Sequence, residues 1–408
     1  MKLRGRRPKH YAYMMLTLLS VMSCHGLGFD DHSTYDRTVL VYMAADNNLS
    51  FAPSGKHSGF HQQDIDEMIS AAGDIPENSR LLVYVDDMDL PRILSIEQQN
   101  GRRPIAKVVH QYTNEHNSGD AETLRAAMTW MTDNFPSKSY ALVLWSHGDA
   151  WLPAKSPVQR AVCLDSKSGK WMEIADIAYT LSAFPKLEFI LFDACFMQSI
   201  EVAYELRNTT KYIIASPAEI PAPGAPYKRV VKSMFSPSTY ATDIAEAYYQ
   251  EYNEGKITIT GREPDTYGVC LSVVNCNQLE SLATATEQMV SKYVRLQDEI
   301  SLTGVQRYFF LNWSTRPEYY DMNGYMKSLL TDATDYAIWK DAFDKAIVYK
   351  TTTPHWFSDY TGMEYIDKEN YGGISCYVPQ SSPTHSNLNQ GFKATEWYHA
   401  AGWQHTGW

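Results

Sequence analysis

The chain has 408 residues, 44% of them apolar and 20% charged, a globular composition that excludes a disordered or low-complexity protein. Its formal charge of −11 argues against nucleic acid as a partner, because that binding rests on neutralising phosphates with basic side chains. The length allows one large domain or two smaller ones.

The N-terminal stretch is of different material. Lys2, Arg4, Arg6, Arg7 and Lys9 form a basic start without an acid, and Tyr11 to Met22 is mostly apolar but too short to span a bilayer comfortably. This is the pattern of a secretory signal. Leu19 to Cys24 resembles a bacterial lipoprotein cleavage site, with Cys24 as the lipidated residue and Met22 an unusual occupant. Removal of residues 1–23 would delete five basic side chains and no acid, taking the charge from −11 to −16. The expected location is therefore outside the cytosol, as a cell-envelope lipoprotein or a secreted protein, with membrane contact only through the lipid.

From Arg37 the chain alternates apolar runs of strand length with amphipathic stretches. Residues 38–45 (TVLVYMAA), 80–87, 140–147, 187–193 (LEFILFD) and 211–216 are near-continuously apolar, as strands covered on both faces must be. Residues 92–99 and 105–112 predict shorter antiparallel strands. Helices are predicted over 62–73, from Ser118–Glu122 to about Asn134, over Trp171–Ala183 and over Ser199–Arg207. The C-terminal third predicts a strand over 267–274, helices around 277–297 and 333–349, and a last strand over 372–378, before a Trp-rich tail. Strands alternating with helices imply right-handed crossovers and an α/β fold with a mostly parallel sheet between helices. The expected division is a signal over 1–24, a catalytic core over 36–255 and a C-terminal α/β extension over 256–408.

Two strands end in reactive residues. The run 140–147 ends in His147-Gly148, and 187–193 ends in Asp193-Ala194-Cys195. Ligand sites in open α/β sheets lie beyond the carboxyl ends of the strands. If these two strands are parallel neighbours, thiol and imidazole share one rim, although 48 residues separate them. Cys195 would attack a carbonyl carbon as thiolate, and His147 would protonate the leaving amine and then activate water. The backbone N–H groups of Gly148 and Cys195 would form the oxyanion hole. Taken singly, a strand-end histidine is more often structural and a buried cysteine more often packing.

The remaining cysteines, Cys163, Cys270, Cys276 and Cys376, contain no CxxC pair, and their spacing fixes no disulfide. His57 and His61 have i, i+4 spacing, but no acid in the sequence around them completes a metal site. There is no Gly-x-Ser-x-Gly elbow and no phosphate loop.

The stretches 38–49, 118–124, 140–151 (YALVLWSHGDAW), 192–206 (FDACFMQSIEVAYEL), 212–227 and 373–379 together resemble the clostripain-like cysteine peptidases of the caspase–gingipain–legumain clan. The resemblance implies a caspase-like fold with His147 and Cys195 as the catalytic pair, and protein or peptide substrates cut after arginine or lysine. Asp193 then matches the acid on the floor of the pocket for the basic side chain; its alternative role is to cap the next helix. Family members often carry an acid or glycine before the Gly-aromatic-Pro-Tyr element; the second acid is absent from Ala222-Pro223-Gly224-Ala225-Pro226-Tyr227, whether Glu219 stands in for it is open, and so is a preference for lysine or a broader choice. Relatives are activated by a cut after the histidine, and here Arg160 is the first candidate for self-cleavage and Lys155 the second. Some relatives need calcium; the acidic mature chain offers carboxylates but no EF-hand, and no other cofactor is called for. The competing readings are a catalytically silent surface-binding module on the same fold, and an amidase or acyltransferase using the same thiol.

Overall fold

The five longest apolar runs become neighbouring strands of one sheet. In the computed structural model, residues 34–51, 59–99, 101–151, 161–255, 267–296, 300–309, 319–358, 362–366 and 368–408 are described. The signal sequence with Cys24, together with Lys155 and Arg160, lies outside them.

The strands are β1 (Arg37–Ala44), β2 (Ser79–Asp86), β3 (Arg92–Glu97), β4 (Ile105–Gln111), β5 (Tyr140–Trp145), β6 (Val162–Asp165), β7 (Lys170–Met172), β8 (Leu187–Asp193), β9 (Thr210–Ala215), β10 (Cys270–Asn275), β11 (Arg307–Phe309), β12 (Tyr319–Asp321), β13 (Ile347–Thr352), β14 (His355–Ser358), β15 (Gly362–Tyr365) and β16 (Ser375–Cys376). The helices are α1 (Phe60–Ser70), α2 (Ala121–Asn134), α3 (Ile174–Leu181), α4 (Ile200–Leu206), α5 (Tyr227–Met234), α6 (Tyr240–Asn253), α7 (Leu279–Tyr293), α8 (Met322–Leu329), α9 (Ala333–Ala346), α10 (Ser386–Phe392) and α11 (Glu396–Ala400).

The main sheet has nine strands in the order β13-β10-β9-β8-β5-β1-β2-β3-β4. Its centre, β9-β8-β5-β1-β2, is parallel. Antiparallel pairs close both sides: β3 and β4 beyond β2, β10 and β13 beyond β9. Alternate residues of the central strands feed two apolar layers. Leu40, Tyr42, Leu142, Leu144, Ile190 and Phe192 pack with α2, α3, α4 and residues of the C-terminal third. Val39, Val41, Val143, Phe189 and Leu191 pack with α1, α5 and α6. Burial on both faces is why these strands are apolar throughout rather than alternating. The expected α/β sandwich with a mostly parallel sheet is what forms.

Three expectations shift. Trp171 is not helical: β7 forms a hairpin with β6 across a turn at Gly169, whose φ of 69° suits glycine, and α3 starts only at Ile174. The helix predicted to 349 stops at Ala346, because the β-branched run from Ile347 pairs with β10 instead. The last strand shrinks to Ser375–Cys376, in a separate three-stranded sheet. Residues 34–408 form one compact unit, and the nine-stranded sheet runs across the expected boundary at 255/256. Among the described residues no helix is long and apolar enough to cross a membrane.

Candidate active site

The pairing of β5 with β8 positions the rim. Trp145 lies level with Asp193 in parallel register. Two residues further along each chain are His147 and Cys195, so the register carries the imidazole and the thiol to corresponding positions beyond the sheet. The Ser146 N–H donates to the Asp193 carbonyl at 3.3 Å and continues the pairing one step past the strands. Gly148 then lies hard against the cysteine. A Cβ there would meet the Cys195 carbonyl oxygen at 2.7 Å, the Ala194 Cβ at 2.9 Å and the Met197 Sδ at 2.9 Å. Only glycine fits this wedge.

Two non-glycine residues beside the pair adopt left-handed backbone, Ala150 (φ 57°) and Phe196 (φ 63°). Such a conformation costs about 1–2 kcal/mol for a residue with a Cβ, and functional sites are where such strain is retained. Phe196 is held by its N–H donating to the Ala218 carbonyl at 3.0 Å and by a ring contact of 5.9 Å with Tyr319. The turn ends at Ser199, whose hydroxyl accepts from the Val202 N–H and caps α4. The capping role that Asp193 could have taken is therefore filled by Ser199.

Gly148 pairs with Val162 as an isolated bridge whose hydrogen bonds run through the neighbouring residues: Cys163 N–H to the His147 carbonyl (3.2 Å) and Asp149 N–H to the Ala161 carbonyl (2.7 Å). Among the described residues, no backbone carbonyl takes the N–H of Gly148 or of Cys195.

The Cys195 Sγ accepts from the Ile220 N–H at 3.4 Å. Burial pushes the thiol up, and Glu219 adds to that, with smaller contributions from Asp149 and Asp193. Burial and these acids favour the protonated thiol over the thiolate. The ring of His147 lies 6.4 Å from that of Trp171, and its Nε2 is 2.6 Å from the Asn48 Oδ1.

Asp193 points to the opposite face of the sheet. It accepts from the Ala225 N–H (2.9 Å), the Tyr227 hydroxyl (3.0 Å) and the Tyr248 hydroxyl (3.3 Å). Gly224, at φ 62°, leaves the space in which the carboxylate sits: a Cβ there would be 2.7 Å from it. Burial raises Asp193 to about 6. A carboxylate has about four acceptor positions, so these three donors leave room for one more. Beside it is Asp64 from α1, 3% exposed, which accepts from the Trp145 indole N–H at 2.7 Å and is raised by burial and by Asp193. Glu219, the sequence's substitute for a second acid, acts on the thiol, and Asp64 is the acid next to Asp193.

Asn48 and Asp64 were not singled out from the sequence. The rule that directed attention to the ends of β5 and β8 applies equally to β1, whose run ends in Asp46-Asn47-Asn48. Asp64 had no local signal, because it reaches the site from an amphipathic helix. His61 instead pairs with Asp87 (3.4 Å), which Arg92 also grips with both terminal nitrogens. Among the described residues no three His, Cys, Asp or Glu side chains converge to hold a metal ion.

A thiol and an imidazole thus stand at level ends of adjacent parallel strands, over a glycine wedge, the arrangement that a cysteine peptidase on an α/β sheet would need. The sequence profile of the clostripain family matches residues 41–408, and the chain belongs to that family. It is similar to a secreted C11 cysteine protease of Bacteroides thetaiotaomicron solved with an irreversible peptide inhibitor (32% identity, 90% of this chain and 99% of that one, TM-score 0.77). It is also similar to an inactive zymogen C11 protease of Parabacteroides distasonis (30%, 90% and 99%, TM-score 0.74). Clostripain of Hathewaya histolytica is 26% identical over 259 residues, which are 55% of this chain and 45% of clostripain, so the match spans under half of that relative's length.

Proposed function

We propose that the chain is an exported cysteine endopeptidase that uses Cys195 and His147 to cleave after arginine or lysine. The observation that carries the reading is the β5–β8 register, which brings His147 and Cys195 level and seats Gly148 against the cysteine backbone.

In the proposed reaction the Cys195 proton passes to His147. The thiolate adds to the scissile carbonyl carbon, and the oxyanion is met by the N–H groups of Gly148 and Cys195. Collapse breaks the C–N bond, and the His147 imidazolium gives its proton to the leaving amine. His147 then takes a proton from water as the hydroxide adds to the thioester carbonyl; collapse breaks the C–S bond, Cys195 regains its proton from the His147 imidazolium, and the product acid departs. Asp193 supplies negative charge for a desolvated guanidinium or ammonium. Export is supported by the apolar signal and by the relative described as secreted; lipidation at Cys24 is the anchored form of the same proposal. Activation by self-cleavage at Arg160, with Lys155 second, is supported by the relative described as a zymogen.

Hydrolysis of fluorogenic peptides varied before the cut, by residues 25–408 and by Cys195→Ala, tests the reading. Cleavage after Arg or Lys is expected, with loss in the mutant. Wild-type intact mass should show the cut after Arg160 and Cys195→Ala should not. Activity that survives in Cys195→Ala would overturn the nucleophile, and cleavage after other residues would overturn the role of Asp193.

A further inference from the structure

The β6–β7 hairpin lies on the face of the sheet opposite the Asp193 carboxylate. Its Val162, Cys163 and Met172 pack in the apolar layer of α2 and α3. Ala225, Tyr227 and Tyr248, which enclose Asp193, belong to the layer of α5 and α6 on the other face. The hairpin is fixed at the rim. The Cys163 N–H donates to the His147 carbonyl at 3.2 Å, and Gly148 bridges to Val162. The buried Asp165 accepts from the Ser168 N–H across the hairpin turn (2.8 Å) and from the Ser118 N–H (3.1 Å). Gly119 lies so close that a Cβ there would meet the Lys170 carbonyl oxygen at 2.5 Å. Along β7 the side chains alternate. Lys170 is exposed, Met172 is buried in the apolar layer, and between them Trp171 is half-buried, its ring 6.4 Å from that of His147.

In the proposed reaction the leaving amine takes its proton from His147, so the peptide beyond the cut lies on the His147 side of Cys195. An extended peptide sends successive side chains to opposite sides. The residue before the cut points towards Asp193 and the layer of α5 and α6. The residue after the cut then points the other way, to the face that carries the β6–β7 hairpin, where β7 presents Trp171 beside the imidazole. We propose that Trp171 is a specificity-determining residue on the leaving-group side: its ring is the wall against which the side chain following the cut packs, and an apolar or aromatic residue is favoured there. The inference rests on the Cys195–His147 dyad and the Asp193 pocket of the preceding section. An indole offers a large apolar surface in a side chain with a fixed geometry. An acidic side chain brought against it loses water without gaining a partner, which is unfavourable.

The test uses internally quenched peptides that share one sequence up to an Arg and carry Gly, Leu, Phe or Asp after it. Their hydrolysis is measured for wild type, Trp171→Ala, Trp171→Phe and Cys195→Ala. Wild type should cleave the Leu and Phe peptides with kcat/KM about 10-fold above the Gly peptide, the scale on which an apolar subsite discriminates, and the Asp peptide least well. In Trp171→Ala the Leu and Phe peptides should fall to within about twofold of the Gly peptide, whose own kcat/KM stays near wild type. Trp171→Phe keeps an apolar ring and should keep most of the preference. A ratio between two peptides on one preparation does not depend on the folded fraction, so a less stable variant still reports it. An equal loss on all four peptides in Trp171→Ala would make the ring a support for His147 and overturn the specificity role. Unchanged ratios in Trp171→Ala, or a wild type without preference after the cut, would overturn it as well and leave the dyad standing. Hydrolysis that survives in Cys195→Ala, or a wild type that does not cleave after the Arg, would overturn the preceding reading and the role of Trp171 with it.

Discussion

At the scale of single residues, the site depends on close approach more than on unusual chemistry. Gly148 occupies a position where any Cβ meets the Cys195 carbonyl and the Met197 sulfur inside 3.0 Å. Gly148→Ala must push the β5 and β8 ends apart or turn the Gly148 N–H away from the rim. Overpacking of this kind costs roughly 1–3 kcal/mol. A lost oxyanion donor costs on the order of 10²–10³ in rate. The expected result is a modest fall in denaturant midpoint with at least a hundredfold fall in kcat. Wild-type kcat in that variant would show that the wedge plays no part in turnover.

At the scale of elements, the C-terminal third braces the turn that carries Cys195. The Ser375 N–H donates to the Gln198 carbonyl at 2.9 Å, and the Tyr377 N–H donates to the Glu201 Oε1 at 2.8 Å. Glu201 opens α4 and is 1% exposed, and burial raises it to about 7. The sign follows from the direction. The fold favours the protonated acid, so the stability it contributes is fully present below about 4.5 and is lost as pH rises through about 7. At one pKa unit per 1.36 kcal/mol, the loss approaches roughly 3 kcal/mol above pH 8. Glu201→Gln keeps an acceptor for Tyr377 and cannot ionise. Melting temperatures from pH 4.5 to 8 should fall less steeply in Glu201→Gln than in wild type, and the variant should be the more stable at pH 8. Parallel curves would contradict the assignment, since Asp86 and Asp193, raised in the same direction, are common to both proteins.

At the scale of the whole molecule, legibility followed locality. The central strands were readable because burial on both faces makes them apolar without interruption, and LEFILFD coincides with β8 residue for residue. His147 and Cys195 were readable as strand ends, where the chain itself marks the rim. Asn48 stands at a third strand end and was open to the same rule, but asparagine after a strand also reads as an ordinary turn residue. Asp64 was hidden, because its relation to Asp193 is made only when α1 packs on the sheet. The edge strand β13 was hidden too: its pairing with β10 joins residues as far apart in the chain as Cys270 and Thr352, and IVYKTT follows a helix with no Gly or Pro to separate them. The Asp193 carboxylate was placed correctly at the strand end, but its cage of Tyr227, Tyr248 and the Ala225 N–H comes from segments up to 55 residues away.

The central claim is that one thiol of five in the described chain is the nucleophile, and that a basic residue brings substrate to it. Labelling tests this most directly. The protein would be incubated with a peptide chloromethyl ketone ending in Arg or Lys, then digested and mapped by mass. The account predicts a single adduct on Cys195, formed much more slowly in His147→Ala and weakly with the same peptide ending in an acidic residue. An adduct on Cys163, Cys270, Cys276 or Cys376 instead, or hydrolysis that continues with Cys195 unlabelled, would contradict it.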